Sequence, residues 1–153
     1  MIDQRHKSNP CYTPLLSDNE RTGKIILFHT HMNRSVDIMH CPSGADLNWV
    51  VHTHNNFGTL HELVFAEEGM YDIMPMYANK LSIFVPNTDL ENYQNLFNDL
   101  HNKLKDNPLD DKNIHINYFV FKVNTLIQPY SLKMTFLPCI NNKYQGFNIK
   151  LNW

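Results

Sequence analysis

The sequence has little of what marks several common protein classes. Its 153 residues include only three cysteines, Cys11, Cys41 and Cys139, with no Cys-x-x-Cys pair, which argues against a disulfide framework and favours free thiols. No apolar run approaches the roughly 20 residues that a membrane-spanning helix needs. Charged residues make up 18% of the chain and the net charge is −2. We therefore expect neither nucleic acid nor a membrane surface as a partner.

The chain does contain enough apolar material for one core. Hydrophobic residues make up 42% of the sequence, and 153 residues is near the common size of a single domain. We expect one domain over 1–153, in which the polar, aperiodic residues 1–22 form an irregular N-terminal arm. Residues 1–10 lack the apolar core of a secretion signal, which favours a cytoplasmic location.

Short runs of β-branched and aromatic residues, separated by turn-forming residues, predict several strands. These runs cover residues 24–29, 36–40, 48–53, 62–66, 80–85, 114–123, 130–137 and 146–151. In the run 114–123, the partial alternation of Ile114, Ile116 and Tyr118 with other residues is typical of a strand. The aromatic residues Tyr118, Phe119 and Phe121 are expected in the core, since no basic residues alternate with them to form a nucleic-acid platform.

One segment predicts a long amphipathic helix at about 88–105. Its apolar residues recur at three- and four-residue steps, at Leu90, Tyr93, Phe97, Leu100 and Leu104. Asn107-Pro108 ends the run. A helix with strands before and after it predicts an α+β fold, with a mixed or mostly antiparallel sheet and the helix packed on one face.

Histidine is concentrated between residues 29 and 61, where six of the nine histidines lie. They include two identical triplets, His29-Thr30-His31 and His52-Thr53-His54. On a strand, residues two apart point to the same face, so either triplet would present two imidazoles to one metal ion. An added acid, Glu62 or Asp37, would complete a site suited to zinc or iron.

The stretch from His52 and His54 to Glu62 is also similar to the metal-binding motif of the cupins, although the acid comes later than in that motif. One hypothesis is therefore a small histidine-rich metalloenzyme that binds zinc or iron through His52, His54 and Glu62, with His29 or His31 as a further ligand. The alternative is that these histidines are half-exposed strand residues that hydrogen-bond across the sheet.

A two-histidine phosphodiesterase is a further enzymatic hypothesis, with one imidazole as base and the other as acid. The nearest sequence phrases are His52-Thr53-His54 and His115-Ile116-Asn117. Neither has the histidine–apolar–threonine form that points both groups at a phosphate.

The central part of the chain resembles the suppressor-of-fused domain family over about residues 25–105. The resemblance lies in Phe28-His29, Val36-Asp37-Ile38 with Pro42, Trp49-Val50-Val51-His52-Thr53, and the segment from Tyr77 to Pro86 before the helix. It implies an α+β fold and a protein-binding role without catalysis or cofactor. In this family, single-domain bacterial members resemble immunity proteins that neutralise a toxin, or regulators that sequester a partner.

On this hypothesis the partner surface lies in the loops at 52–61 and 67–76. These loops mix apolar and acidic side chains, a composition that suits adaptable protein contacts. The predicted contact residues are Phe57, Glu67, Glu68, Met70, Tyr71 and Met74. The alternative for the methionine-rich stretch is ordinary packing over the sheet.

Overall fold

The computed structural model describes residues 25–31, 41–76, 81, 87–106, 109–141 and 143–144. Along the chain these residues form β1 (Ile25–His31), α1 (Gly44–Phe57), β2 (Thr59–Ala66), β3 (Gly69–Pro75), α2 (Asn87–Asp106), α3 (Leu109–Ile127), β4 (Leu132–Ile140) and β5 (Lys143–Tyr144). A single 3-10 turn, Gln128–Tyr130, joins α3 to β4.

The five strands form one mixed sheet in the order β1-β2-β3-β4-β5. Strands β1 and β2 are parallel, whereas β2–β3, β3–β4 and β4–β5 are antiparallel pairs. A parallel pair needs a crossover connection, and α1 provides it. The α+β class and the mixed sheet that the sequence predicts are therefore confirmed.

The hydrophobic core lies between one face of the sheet and the helices. In the sheet, Val64 pairs with Tyr71, and Tyr71 pairs with Phe136, so these side chains share a face. Helices α1 and α3 lie over this face, and α2 packs mainly against α3. The buried residues that the helices contribute include Leu47, Val50, Tyr93, Leu100, Ile116, Phe119, Val123 and Ile127.

The helix predicted at about 88–105 is confirmed as α2. Its apolar stripe is buried at Tyr93, Leu100 and Leu104. The ring of Tyr93 meets that of Phe119 on α3, with 6.1 Å between centroids. The Tyr93 hydroxyl also donates a hydrogen bond to the carbonyl of Pro42, which ties α2 to the segment before α1. Among the described residues no helix is both long and apolar enough to cross a bilayer.

The strand predicted at 48–53 is wrong, because this segment is the middle of α1. Leu47, Val50, Val51 and His54 are buried at helical spacing on one side of α1. The β-branched and aromatic residues of the segment favour a strand, but burial of a helical stripe against the sheet outweighs that preference. The described part of the chain thus has three helices where the sequence predicts one.

The strand predicted at 114–123 is wrong for the same reason, since it lies within α3. Ile116 and Phe119 are buried at helical spacing. Tyr118 and Phe121, which are expected in the core from the sequence, are instead 52% and 65% exposed. A helix points these two rings away from the sheet, whereas a strand would have pointed one of them toward it.

Other strand predictions had mixed outcomes. The runs at 24–29, 62–66 and 130–137 are confirmed in β1, β2 and β4. The runs at 36–40 and 146–151 and the arm at 1–22 lie outside the described residues, and of the run 80–85 only Leu81 is described.

The opposite face of the sheet carries a pair of titratable side chains, His61 and Asp72. Leu63 pairs in register with Asp72, so Asp72 shares this face with Leu63 and His61. His61 Nδ1 lies 2.9 Å from both carboxylate oxygens of Asp72. The hydrogen bond to Asp72 raises the pKa of His61, and burial only partly opposes that shift.

We expect Asp72→Asn to destabilise the protein most at acidic pH. A histidine whose pKa is raised by folding adds stability below its ordinary pKa of 6.5, and this is lost as the pH rises through the raised value. The expected loss in unfolding free energy is about 1 kcal/mol or less at about pH 5, and smaller at about pH 9. Urea denaturation of both proteins at the two pH values measures it. An equal loss at both would show that the charge of His61 makes no contribution.

Candidate metal centre

Side chains from β1, α1 and β2 meet at the carboxyl end of β1. His29 and His31 are two apart on β1, so both point to the face that the helices cover. Glu62 on β2 pairs in register with Leu27, which places it on the same face. Asp46 lies in the first turn of α1. Because α1 is the crossover that follows β1, its N-terminus brings Asp46 to the two imidazoles.

Three of these side chains, those of His29, His31 and Asp46, could hold one metal ion. Their ligand atoms all lie within 4.8 Å of one another, and no other such group occurs among the described residues. The two Nε2 atoms are 3.0 Å apart, and His29 Nε2 is 3.2 Å from Asp46 Oδ1. Two nitrogens bound tetrahedrally to zinc at about 2.0–2.1 Å would be about 3.3 Å apart. The observed separation is therefore close to that of a metal-bound pair.

The second nitrogen of each imidazole has an acceptor beside it. His31 Nδ1 lies 3.1 Å from the carbonyl oxygen of Cys41, and because a carbonyl only accepts, the proton is on Nδ1. His29 Nδ1 lies 2.8 Å from Glu62 Oε1. Metal-binding histidines almost always donate their second N–H to a carboxylate or a carbonyl in this way. Both Nε2 atoms are thereby directed to one point.

The cap of α1 holds Asp46 in place. Ser43, the N-cap residue, donates its hydroxyl to Asp46 Oδ2 at 2.8 Å, and its backbone N–H donates to the same oxygen. The backbone N–H of Asp46 in turn donates to the Ser43 hydroxyl, which completes a capping box. Oδ1 remains directed to His29. The interaction that begins the helix thus also positions the third ligand.

The side chains of Asp46 and Glu62 are buried, those of His29 and His31 are partly exposed, and the charges of the four interact. The exposed fractions are 25% for His29, 9% for His31, 5% for Asp46 and 2% for Glu62. Burial would lower the pKa of His29, but hydrogen bonds and attraction to Asp46 and Glu62 raise it to about 9. Burial would raise the pKa of Asp46, but the hydrogen bond with His29 lowers it. Burial raises the pKa of Glu62.

Such a close approach of two imidazole nitrogens requires a proton or a metal ion between them. When His29 and His31 both carry their proton on Nδ1, their Nε2 lone pairs face each other and Asp46 Oδ1. A proton on His29 Nε2 removes that repulsion, and so does a metal ion bound by both nitrogens and the carboxylate. Glu62 Oε2 is also buried, with no hydrogen-bond partner among the described residues.

The predicted ligand set of His52, His54 and Glu62 is not brought together. Residues two apart on a helix point to nearly opposite sides. His52 is accordingly exposed on α1, whereas His54 is buried with its Nδ1 2.8 Å from the carbonyl oxygen of Thr59. Of the three, only Glu62 belongs to the cluster, as the partner of His29. The triplet whose two histidines share one face is His29-Thr30-His31, because it lies on strand β1.

Two of the predicted partner contacts lie in the core. Much of the segment 67–76, expected as a loop, is strand β3, where Met70 and Tyr71 are 1% and 0% exposed. Neither side chain is accessible to a partner protein in this fold. The other predicted contacts keep some exposure, and these are Phe57, Glu67, Glu68 and Met74.

Asp46 is absent from the ligands expected from the sequence, since it lies between the strands predicted at 36–40 and 48–53. The relevant signal is Ser43 followed three residues later by Asp46, just before apolar residues at helical spacing. This is a capping-box signature, and it predicts both the start of α1 and the place of Asp46.

Comparison of the chain with protein-family models, with curated proteins and with solved structures finds no match. The protein-binding role implied by the resemblance to the suppressor-of-fused family therefore stays a prediction. The function proposed below is inferred from the geometry of His29, His31, Asp46 and Glu62.

Proposed function

We propose that this protein is a metal-dependent hydrolase that holds one zinc ion with His29, His31 and Asp46. The main support for the proposal is that two imidazole Nε2 atoms and a carboxylate lie close together. The Nδ1 atom of each imidazole also has a hydrogen-bond acceptor beside it. Imidazole nitrogen and carboxylate oxygen are both established zinc ligands, and such sets also bind iron(II).

The solvent exposure of the cluster favours a catalytic over a structural site. Structural zinc sites use four protein ligands, whereas catalytic sites use three and leave a position for water. The described residues supply three ligand side chains, and His29 is 25% exposed, so solvent reaches the cluster. A zinc ion held by these residues would lower the pKa of a bound water to about 7 and would so supply a nucleophile at neutral pH.

The surrounding residues position the ligands. Glu62, 1% exposed, accepts from His29 Nδ1, which fixes the ring and makes Nε2 a stronger donor to a metal. The Cys41 carbonyl does the same for His31. Ser43 holds one oxygen of Asp46 and leaves the other for the ion. Each ligand is thus set by a separate contact before any ion binds.

The test uses the full chain with zinc and with cobalt(II) as probes. We expect one zinc ion per chain by elemental analysis after dialysis, and loss of that ion on treatment with a chelator. Cobalt(II) in the same site gives a visible spectrum that reports its ligands. Added azide should change that spectrum, because azide takes the position that the protein does not fill.

His52→Ala is the matched control, since it removes one histidine of the identical triplet on α1 and should retain one ion per chain. Trace zinc in the unmodified protein would contradict the metal site itself. A bound ion whose cobalt(II) spectrum ignores azide would show a closed site and contradict the hydrolase.

A further inference from the structure

Two neighbouring backbone carbonyl groups before α1 are held by different parts of the fold. The carbonyl oxygen of Cys41 lies 3.1 Å from His31 Nδ1 on β1. The next carbonyl along the chain, that of Pro42, accepts a hydrogen bond from the hydroxyl of Tyr93 on α2. Cys41 and Pro42 are buried, and Tyr93 is 0% exposed. The group that orients a proposed metal ligand is therefore one residue away from an anchor on α2.

The backbone between these two carbonyls has little freedom. The peptide bond that joins Cys41 to Pro42 is planar, and the proline ring fixes the φ angle of Pro42 at about −65°. The residue before a proline is also restricted in its backbone conformation. The ψ angle of Pro42 is thus the one soft dihedral between the two carbonyls. A displacement of Pro42 is expected to move the Cys41 carbonyl with it.

Helix α2 also packs directly on the start of α1. Gly44 is the first residue of α1 and is buried. A methyl group at Gly44 would lie 2.5 Å from Leu90 Cδ1 and 3.7 Å from Tyr93 Cδ1, so the lack of a side chain allows this close approach. Asp46 follows in the same first turn of α1. Leu90 and Tyr93 therefore border the segment that carries both the acceptor for His31 and the ligand Asp46.

We propose that Tyr93 is a positioning residue of the metal centre, which holds the Cys41 carbonyl, and through it the His31 ring, in the orientation that binds the ion. This inference rests on the proposed zinc site. Tyr93 acts through the backbone, because its hydroxyl donates to the Pro42 carbonyl. Phenylalanine in its place would leave that buried carbonyl without the donor that Tyr93 supplies, which favours a shift of Pro42 toward another donor.

The test compares Tyr93→Phe with Tyr130→Phe in the full chain. The control is matched because Tyr130 also anchors α2 by its hydroxyl, which donates to Asp89 in the first turn of that helix. In a competition titration with a chromophoric chelator, Tyr93→Phe should weaken zinc binding about tenfold, at the lower end of the range for direct outer-shell partners. Tyr130→Phe should leave the zinc affinity unchanged. The visible spectrum of bound cobalt(II) should change in Tyr93→Phe alone, which a mere loss of stability would not cause.

A second measurement needs no metal. In NMR spectra of the metal-free, ¹⁵N-labelled protein, the proton on His31 Nδ1 should exchange with solvent at least about tenfold faster in Tyr93→Phe than in the parent or in Tyr130→Phe. An unchanged exchange rate, or an unchanged zinc affinity, in Tyr93→Phe would overturn this inference alone. Only trace zinc in the parent protein would overturn the proposed function and this inference together, so the two failures are distinguishable.

Discussion

Replacing His31 with alanine is expected to weaken zinc binding by more than about 100-fold, since the loss of an outer-shell partner alone typically costs 10–100-fold. His31 supplies one of the three donors, and its Nδ1 is already committed to the Cys41 carbonyl. A competition titration with a chromophoric chelator measures the change in affinity. The matched control His52→Ala should leave the affinity as it is, because His52 lies exposed on α1.

The variant Glu62→Gln is expected to give an intermediate loss of zinc affinity. Gln still accepts a hydrogen bond from His29 Nδ1 but carries no charge, so we expect a loss of about 10–100-fold, between those of His31→Ala and His52→Ala. If His52→Ala instead caused the largest loss, the ligand set would be the one that the sequence predicts, and the cluster at β1 would be a hydrogen-bond network.

The variant Tyr71→Ala is expected to lower the free energy of unfolding by about 3–5 kcal/mol. Tyr71 is 0% exposed, its ring centroid lies 4.9 Å from that of Phe136, and its hydroxyl donates to Glu68 Oε1 at 2.9 Å. Alanine leaves a cavity in the middle of β3 and removes the donor to Glu68. Urea denaturation measures the loss.

Two further variants separate the effect of burying the ring from the effect of the hydroxyl hydrogen bond. Glu67→Ala, at an exposed neighbouring position, should change stability by less than about 0.5 kcal/mol. Tyr71→Phe keeps the ring and should cost about 1 kcal/mol for the lost hydrogen bond. An unchanged unfolding midpoint for Tyr71→Ala would contradict the burial of this side chain and return it to the surface, where the sequence places it as a partner contact.

Helix α2 could be predicted from the sequence because its apolar residues follow the helical period and not the alternation of a strand. Tyr93, Leu100 and Leu104 recur at helical spacing, and most positions between them are polar. A strand would place Tyr93 on the face opposite to Leu100 and Leu104, so local sequence and tertiary packing favour the same structure.

Helices α1 and α3 could not be assigned in this way. In α1, Trp49, Val50 and Val51 are adjacent apolar residues, and in α3 Ile116 and Phe119 lie among further aromatic residues. Where most positions are apolar, alternation and helical spacing are both present, and side-chain type then favours a strand. The packing of both helices on the sheet resolved the ambiguity, and α1 also provides the crossover that the parallel pair β1–β2 needs.

For the site, the sequence by itself determined that the histidines of a triplet on a strand share one face, and this is what β1 shows. It did not determine which triplet is on a strand, because that depends on how residues 48–53 pack. Only the tertiary structure brought Asp46 and Glu62 to His29. Their approach is set by the crossover from β1 through α1 to β2, and a linear pattern carries no information on contacts between segments so far apart in the chain.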